Sequence, residues 1–280
     1  MALPRSARPF DRDVLAQADG WGAGRCGVAL LDRDGLVAER GARDAALPWA
    51  SVTKLATAWT SLVAVDRGLV ALDDPAGPPG STVRHLFAHA SGLAFDDATI
   101  VSPPARTRIY SNTGYDTLAA TVEAGAGRPF GVLMRDWLLE PLGMTGARLV
   151  GPPSQGLVGT LRDLAALAFE LLVPRLLMPG TASLATSVAF PGLRGMLPGI
   201  GLQETLDWGL GPEIRDGKVP HWTGSGNSPR TYGHFGGSGT FVWVDPDAGL
   251  ALVALTDRTF GAWAIEAWPR LSDAVLQATR

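Results

Sequence analysis

Lysine is nearly absent from this 280-residue chain, since only two of its 24 basic residues are lysines, Lys54 and Lys218. The others are arginines, whose guanidinium stays protonated in proteins, whereas a buried lysine can lose its proton. Lys54 stands three residues after Ser51. A lysine retained there, in a chain that otherwise uses arginine, indicates a position that requires a neutral amine. Such a need arises when an amine takes a proton from a serine nucleophile.

The sequence also lacks the features of several other protein classes. Its single cysteine, Cys26, cannot form an internal disulfide, and we expect it to be a small core residue. With a net charge of −3 and no basic stripe, we expect no nucleic-acid partner. No apolar run approaches the ~18 residues of a membrane span, and residues 1–10 contain no stretch of signal-peptide length. We therefore expect a soluble, cytoplasmic protein without a membrane partner.

What the chain does contain indicates a globular protein with mixed α and β structure. Hydrophobic residues make up 46% of it and charged residues 18%. Apolar strand patterns occur near both ends, over 26–31, 36–40, 241–245 and 250–255. Helical patterns are predicted over 10–18, 51–67, 82–89, 112–124, 130–140, 161–173 and 262–279. Strands at both ends with helices between them predict one antiparallel sheet flanked by the terminal helices.

This order of elements predicts two lobes. Residues 1–68 and 200–280 would form the sheet lobe, and residues 69–199 a mainly helical lobe inserted into it. Clefts between lobes are common places for small-molecule sites, so we expect the active site there. The segment 190–227, rich in Gly and Pro, is expected to border the cleft, and Trp49 and Trp208 to line it.

Ser51 and Lys54 form the first chemical motif. At positions i and i+3 of a helix, two side chains lie on one face. The helix start supplies free backbone N–H groups and a positive dipole end, which favour negative charge near Ser51. The apolar residues that follow predict burial, which lowers a lysine pKa; bringing it to ~7 costs roughly 4–5 kcal/mol. The simpler alternatives are that Ser51 is a helix N-cap and Lys54 a solvated surface lysine.

Two further motifs follow along the chain. One is Tyr110-Ser-Asn112, and the other is His234-Phe-Gly236, which continues into a further glycine, Gly237. All three motifs in this order are expected by chance in about one chain in a thousand, which favours a common function. The structural alternatives are a core tyrosine for Tyr110, a helix cap for Asn112 and a turn residue for His234.

These motifs, in this order, resemble the serine β-lactamase and DD-peptidase superfamily, which includes the penicillin-binding proteins. The closest resemblance is to its class C-like branch, which includes esterases and D-aminopeptidases. The similarity extends from about residue 49 to 257 and includes Val83–Leu93, Glu140–Met144 and Trp243–Pro246. It implies the fold of that superfamily and acyl transfer through a covalent intermediate on a serine.

The resemblance also implies a role for each motif residue. Ser51 would attack a carbonyl, while Lys54 and Tyr110 share the general-base work. The backbone N–H groups of Ser51 and Gly237 would form the oxyanion hole. The expected substrate-binding residues are Asn112, His234, Gly236 and Ser238. No cofactor is implied.

The third motif departs from the β-lactamase pattern, since His234 and Phe235 replace the lysine and threonine that would bind a substrate carboxylate. Histidine is only partly charged near neutral pH, so we expect a neutral ester or amide rather than a penicillin-type substrate. His85 and His89 share a helical face, but no third ligand is evident and we expect no metal.

The sequence therefore predicts a serine hydrolase that acts through an acyl-enzyme on a small ester or amide. The first alternative is a β-lactamase, a D,D-carboxypeptidase or a D-aminopeptidase. An alternative of another class is a non-catalytic homologue that binds a ligand, although a binding protein has no need of a poised base. Acyl transfer to an acceptor other than water also remains open. Neither the substrate nor the oligomeric state follows from the sequence.

Overall fold

The structure, a computed structural model, describes residues 3–279, and within them eleven strands form three sheets. The strands are β1 (Cys26–Asp32), β2 (Gly35–Gly41), β3 (Leu47–Pro48), β4 (Arg148–Leu149), β5 (Leu157–Gly159), β6 (Gly195–Leu197), β7 (Gly201–Gln203), β8 (Glu213–Ile214), β9 (Tyr232–Gly236), β10 (Thr240–Asp245) and β11 (Leu250–Thr256). The largest sheet has the order β2-β1-β11-β10-β9-β8 and is antiparallel throughout. Strands from the two ends of the chain therefore meet at the β1–β11 pair.

Most helices lie close to their predicted positions, although the helix over Pro179–Ala185 was not predicted. The helices are α1 (Thr53–Asp66), α2 (Val83–Phe87), α3 (Asn112–Ala126), α4 (Phe130–Met134), α5 (Leu161–Leu172), α6 (Pro179–Ala185) and α7 (Ala262–Ala278). Near the N-terminus the predicted helix is a 3₁₀ helix over Arg12–Trp21, and α4 continues as a π-helical turn over Arg135–Leu139. Within residues 3–279, no helix combines the length and apolar character that crossing a membrane requires.

Both faces of the large sheet are buried, which explains why its strands read as continuous apolar runs. Along β1, Val28 and Leu30 join one apolar cluster, while Ala29 and Leu31 join the other, as the two-residue period of a strand requires. The N-terminal 3₁₀ helix and α7 pack against each other and share the first cluster. The predicted fold class, an antiparallel sheet flanked by the terminal helices, is confirmed.

Helix α1 occupies the centre of the second cluster. Every residue from Thr53 to Ala64 is buried, since α3, α4 and the π-helical turn pack around it. Helix α5 packs directly on β1, β10 and β11, although the sequence assigns it to the inserted lobe. One core thus joins the inner face of the sheet to the helices, and the lobe division at residues 68 and 199 stays a prediction.

Candidate active site

Ser51 lies in a 3₁₀ turn over Ala50–Val52 that directly precedes α1 and contacts β9. The predicted helix therefore starts two residues later than its sequence indicates. Ser51 does not cap it, since the N-cap residue is Val52 and no side chain accepts a capping hydrogen bond there. The preceding Ala50 has a φ of 45°, in the left-handed region. Such a conformation costs a non-glycine residue about 1–2 kcal/mol, and strain of this kind often marks a functional site.

Lys54 lies one helical turn after Ser51 and is completely buried. Its Nζ donates hydrogen bonds to Asn112 Oδ1 at 2.5 Å and to the backbone carbonyl of Ser154 at 2.9 Å. Burial lowers the pKa of Lys54 to about 7, although the negative charges of Asp116 and Asp96 oppose this change. The alternative of a solvated surface lysine is thus wrong, and a neutral amine is accessible near neutral pH.

The loop that carries Ser154 is fixed to two helices. Asp116 of α3 accepts hydrogen bonds from the Ser154 backbone N–H at 2.9 Å and from its hydroxyl at 3.1 Å. The hydroxyl of Thr57, on α1, donates to the carbonyl of Pro153 at 2.5 Å. These contacts place the Ser154 carbonyl over Lys54, a partner some hundred residues distant that no local pattern could indicate.

Tyr110 lies beside both Lys54 and Ser51. The centre of its ring is 4.7 Å from Lys54 Nζ. Burial raises the pKa of Tyr110 above its ordinary value, and the adjacent Ser51 side chain opposes this increase. Its hydroxyl is buried and has no well-formed hydrogen bond within residues 3–279. The phenol is therefore neutral near pH 7.

Asn112 is the first residue of α3 and ties the lysine to a surface carboxylate. Its Nδ2 donates to Asp96 Oδ1 at 2.7 Å, while its Oδ1 accepts from Lys54. The N-cap role belongs instead to Ser111, whose hydroxyl accepts from the backbone N–H of Gly114 at 2.9 Å. Asn112 is thus placed against the reacting groups rather than used to cap the helix.

The end of β9 approaches Ser51 closely because Gly236 has no side chain. A Cβ at Gly236 would lie 2.4 Å from the carbonyl oxygen of Trp49 and 3.2 Å from the Ser51 nitrogen. The next residue, Gly237, lines a cavity together with Ser51. Within residues 3–279, neither Ser51 nor Gly237 donates its backbone N–H to another backbone carbonyl. Two free donors beside the serine are what an oxyanion hole requires.

His234, on β9, is buried and electrically neutral. Its Nδ1 donates to the carbonyl of Phe235 at 2.7 Å, so Nε2 carries a lone pair. Burial, followed by the nearby charge of Lys54, lowers the pKa of His234 to about 3. The side chain therefore offers an acceptor where a lysine would offer a cation. Ser238 lies outside the cavity lining, and its hydroxyl donates to Thr240 Oγ1 at 3.1 Å.

A cavity of about 190 Å³ opens beside Ser51 and is mainly apolar. Segment 190–227 contributes to its wall, as the sequence predicted, and so does Trp208, whereas Trp49 is buried in the core beneath the site. The lining residues are Ser51, Phe95, Tyr110, Leu197, Pro198, Gly199, Trp208, Glu213, His234, Phe235, Gly237 and Phe260. A largely apolar pocket with a few convergent polar groups is the usual form of a small-molecule site.

A buried polar cluster beside this cavity was missed by the sequence argument. The Glu213 carboxylate lies 3.2 Å from Lys218 Nζ, and it accepts hydrogen bonds from His221 at 3.0 Å and Trp222 at 2.7 Å. Burial raises the pKa of Glu213, but the charges and hydrogen bonds of these neighbours outweigh it and bring it to about 2. The scarcity of lysine was the available signal, since Lys218 is the second of the two lysines.

The chain is similar to several known proteins. A family model described as Beta-lactamase matches residues 18–276. The crystal structure of a beta-lactamase (Mb2281c) from Mycobacterium bovis is 48% identical, with a TM-score of 0.94 over 95% of this chain and 99% of that chain. EstCE1, described as a hydrolase with promiscuous acyltransferase activity, has a TM-score of 0.77 over 94% of this chain and 98% of that chain; at 17% identity it supports the fold alone.

A curated relative adds a more distant similarity. It is the D-alanyl-D-alanine-carboxypeptidase/endopeptidase AmpH of Escherichia coli K12, 25% identical over 207 residues. The match covers 55% of this chain and 54% of the relative, so the chain spans about half the length of the curated relatives it matches.

Proposed function

We propose that this chain, which belongs to the beta-lactamase family, is a serine hydrolase that cleaves small uncharged esters or amides through an acyl-enzyme on Ser51. One observation supports this most strongly. Within the described residues 3–279, Lys54 is fully buried, contacts no carboxylate directly, and lies beside Tyr110 next to Ser51. An amine kept neutral in this position is a general base, and a structural role would not require it.

The hydrogen bonds of Lys54 suit that role. A neutral amine has two N–H groups and one lone pair. Asn112 Oδ1 and the Ser154 carbonyl accept the two N–H groups, so the lone pair is left to accept a proton. With a pKa of about 7, roughly half of the enzyme carries this free base at neutral pH.

The reaction then proceeds in two balanced steps. As the Ser51 oxygen forms a bond to the substrate carbonyl carbon, its proton passes to the Lys54–Tyr110 pair. The carbonyl oxygen takes up the electron pair and is held by the N–H groups of Ser51 and Gly237. When the intermediate collapses, the bond to the leaving oxygen or nitrogen breaks and the pair returns the proton to it. In the second step a water molecule attacks the carbonyl carbon of the acyl-enzyme and gives its proton to the Lys54–Tyr110 pair. The bond to the Ser51 oxygen then breaks, the pair returns the proton to Ser51, and the acid is released.

The cavity argues for an uncharged substrate. Among residues 3–279, no lysine or arginine lines it, His234 is neutral, and Glu213 lies 3.2 Å from Lys218. A substrate carboxylate would therefore be buried without a partner, which is strongly unfavourable. Because an apolar cavity of about 150 Å³ accommodates benzene, a volume of about 190 Å³ suits one ring or a short acyl chain.

Lactam opening is the second candidate, because the M. bovis protein of 48% identity is described as a beta-lactamase. The same Ser51 chemistry would apply. The two candidates differ in whether the site accepts the carboxylate that penicillins carry. The neutral His234 offers no positive charge to bind that carboxylate.

The test compares nitrophenyl butyrate turnover by the wild type and Ser51→Ala between pH 6 and 9. Ser61→Ala is the matched control, since this serine of α1 is buried and, within residues 3–279, its hydroxyl bonds only the carbonyl of Thr57. We expect turnover to vanish only in Ser51→Ala, and mass spectrometry to find a butyryl group on Ser51. Equal rates in both variants would overturn the proposal. Faster opening of a penicillin than of the ester would overturn the substrate class alone.

A further inference from the structure

His89 occupies a backbone position that is unfavourable for histidine. It follows the end of α2 and has a φ of 54°, in the left-handed region. Glycine or asparagine usually ends a helix in this way, because other side chains are strained in the left-handed region. A histidine at such a position implies that its side chain contributes something that glycine would not.

The contacts of His89 are on both sides of Tyr110. Its backbone carbonyl accepts the N–H of Ile109 at 2.9 Å, and its ring Nδ1 accepts the N–H of Ser111 at 3.1 Å. One residue therefore binds the backbone immediately before and immediately after the tyrosine. Because Nδ1 accepts, the ring proton resides on Nε2.

The ring of His89 also packs against the tyrosine itself. It is 1% exposed, with its centre 4.5 Å from that of Tyr110 and 4.9 Å from those of Tyr115 and Trp208. Burial, with the charge of Lys54 next in importance, lowers the pKa of His89 well below its ordinary value, so the ring is neutral. Its Nε2 has no hydrogen-bond partner within residues 3–279. A neutral, close-packed ring can set a position, but it has no exposed atom with which to bind substrate.

We propose that His89 is a positioning residue that fixes the Tyr110 phenol for proton transfer between Ser51 and Lys54. The inference rests on the proposed function of that site. Within residues 3–279 the Tyr110 hydroxyl has no well-formed hydrogen bond. Its location therefore depends on how the backbone and the ring of Tyr110 are held. Displacement of a catalytic group by about 1 Å can reduce the rate about 100-fold, so this restraint has a measurable effect.

Two variants separate the ring acceptor from the backbone conformation. His89→Asn keeps an acceptor near the position of Nδ1 and tolerates a left-handed φ, whereas His89→Gly suits the backbone and removes the acceptor. We expect His89→Gly to lower kcat about 100-fold with little change in KM, and His89→Asn to restore at least about a tenth of the activity. His85→Leu is the matched control, since His85 caps the same helix through Thr82 and stacks on Phe190.

A double-mutant cycle with Tyr110→Phe decides whether His89 acts through the tyrosine. Rates are measured with an activated nitrophenyl ester and normalised to the number of Ser51 residues that acylate. Without the phenol, His89→Gly should cause little further loss. The same loss in both backgrounds, or equal losses for His89→Asn and His89→Gly, would overturn the role of His89 alone. If Tyr110→Phe is as active as wild type, both the proposed mechanism and the proposed role of His89 are wrong.

Discussion

The two lysines of the chain differ in their surroundings although both are buried. Lys54 is completely buried and bonds only neutral acceptors, an amide oxygen and a backbone carbonyl. Lys218 is 5% exposed, donates to the carbonyl of Ile214, and lies 3.2 Å from the Glu213 carboxylate. The two lysines are buried to a similar depth, but Lys218 lies beside a charge of opposite sign and Lys54 bonds neutral groups.

The difference shows that direct pairing, more than depth, determines what a buried lysine does. Burial disfavours an ammonium, and a contacting carboxylate compensates for it. Near Lys54 the carboxylates are held one group away, since Asp96 bonds Asn112 and Asp116 bonds Ser154. They raise the pKa of Lys54 somewhat without cancelling the effect of burial, which leaves it at about 7. Lys54 is thereby suited to exchange a proton, and Lys218 to support the wall of the cavity.

The largest expected effect is on activity. Lys54→Met should lower kcat/KM for nitrophenyl butyrate about 10²- to 10⁴-fold, since that is the usual contribution of a general base. Lys218→Met is the matched comparison, with turnover expressed per acylating site. If both substitutions reduced turnover equally, the functional distinction between the two lysines would be wrong.

The pH dependence of stability is the next effect. The lowered pKa of Lys54 means that the folded state binds fewer protons than the unfolded state between pH 7 and 10.5. The free energy of unfolding should therefore rise through this window, by up to about 4–5 kcal/mol, and the destabilisation is fully present below pH 7. Urea denaturation of wild type and Lys54→Met at several pH values measures the rise, which should be absent from the variant. A parallel rise in both proteins would assign it to other groups.

Lys218→Met should act mainly on stability. It leaves the buried Glu213 carboxylate with only its hydrogen bonds from His221 and Trp222 among the described residues, and removing one partner of a buried ion pair costs about 3–5 kcal/mol. Urea denaturation at pH 7 checks this value. The double variant with Glu213→Gln should recover part of the loss, because no uncompensated charge then remains. A double variant less stable than Lys218→Met would contradict the pairing argument.

A smaller effect is expected from Asp116→Asn. Its negative charge raises the pKa of Lys54, so neutralising it should lower that pKa further. Since the free amine is the active form, the acid limb of the kcat/KM profile should move to lower pH. An unchanged midpoint, with wild-type stability, would show that Asp116 exerts no charge effect on the lysine. A shift to higher pH would contradict the sign.

The smallest effect is expected from Ser154→Ala. The hydroxyl bonds Asp116, whereas Lys54 bonds the backbone carbonyl, which the substitution preserves. We expect a loss of about 1–2 kcal/mol in the free energy of unfolding and almost unchanged turnover. A large loss of activity would mean that the carbonyl moves when the side chain is removed, and that the side chain is needed to hold Lys54.

Local parts of the fold were predictable because neighbouring residues decide them. The helix predicted over 161–173 forms as α5, with a capping box of Thr160 and Asp163, and the strands predicted over 241–245 and 250–255 pair as β10 and β11. Ser51 and Lys54 are brought together by one turn of chain. The differences from the predicted helix bounds are also local. Ala50 has a left-handed backbone conformation that residue preferences do not indicate, and α1 therefore begins only at Thr53.

By itself the sequence determined strands β1, β2, β10 and β11, most of the helices and the three motifs, since these depend on residue type and short spacing. The tertiary structure decided which groups surround each lysine. Ser154 and Asn112 reach Lys54 from distant loops and helices, and Glu213 reaches Lys218 across a turn. Burial and pairing depend on the surroundings of a side chain in space, so only the folded chain gives one lysine neutral partners and the other a carboxylate.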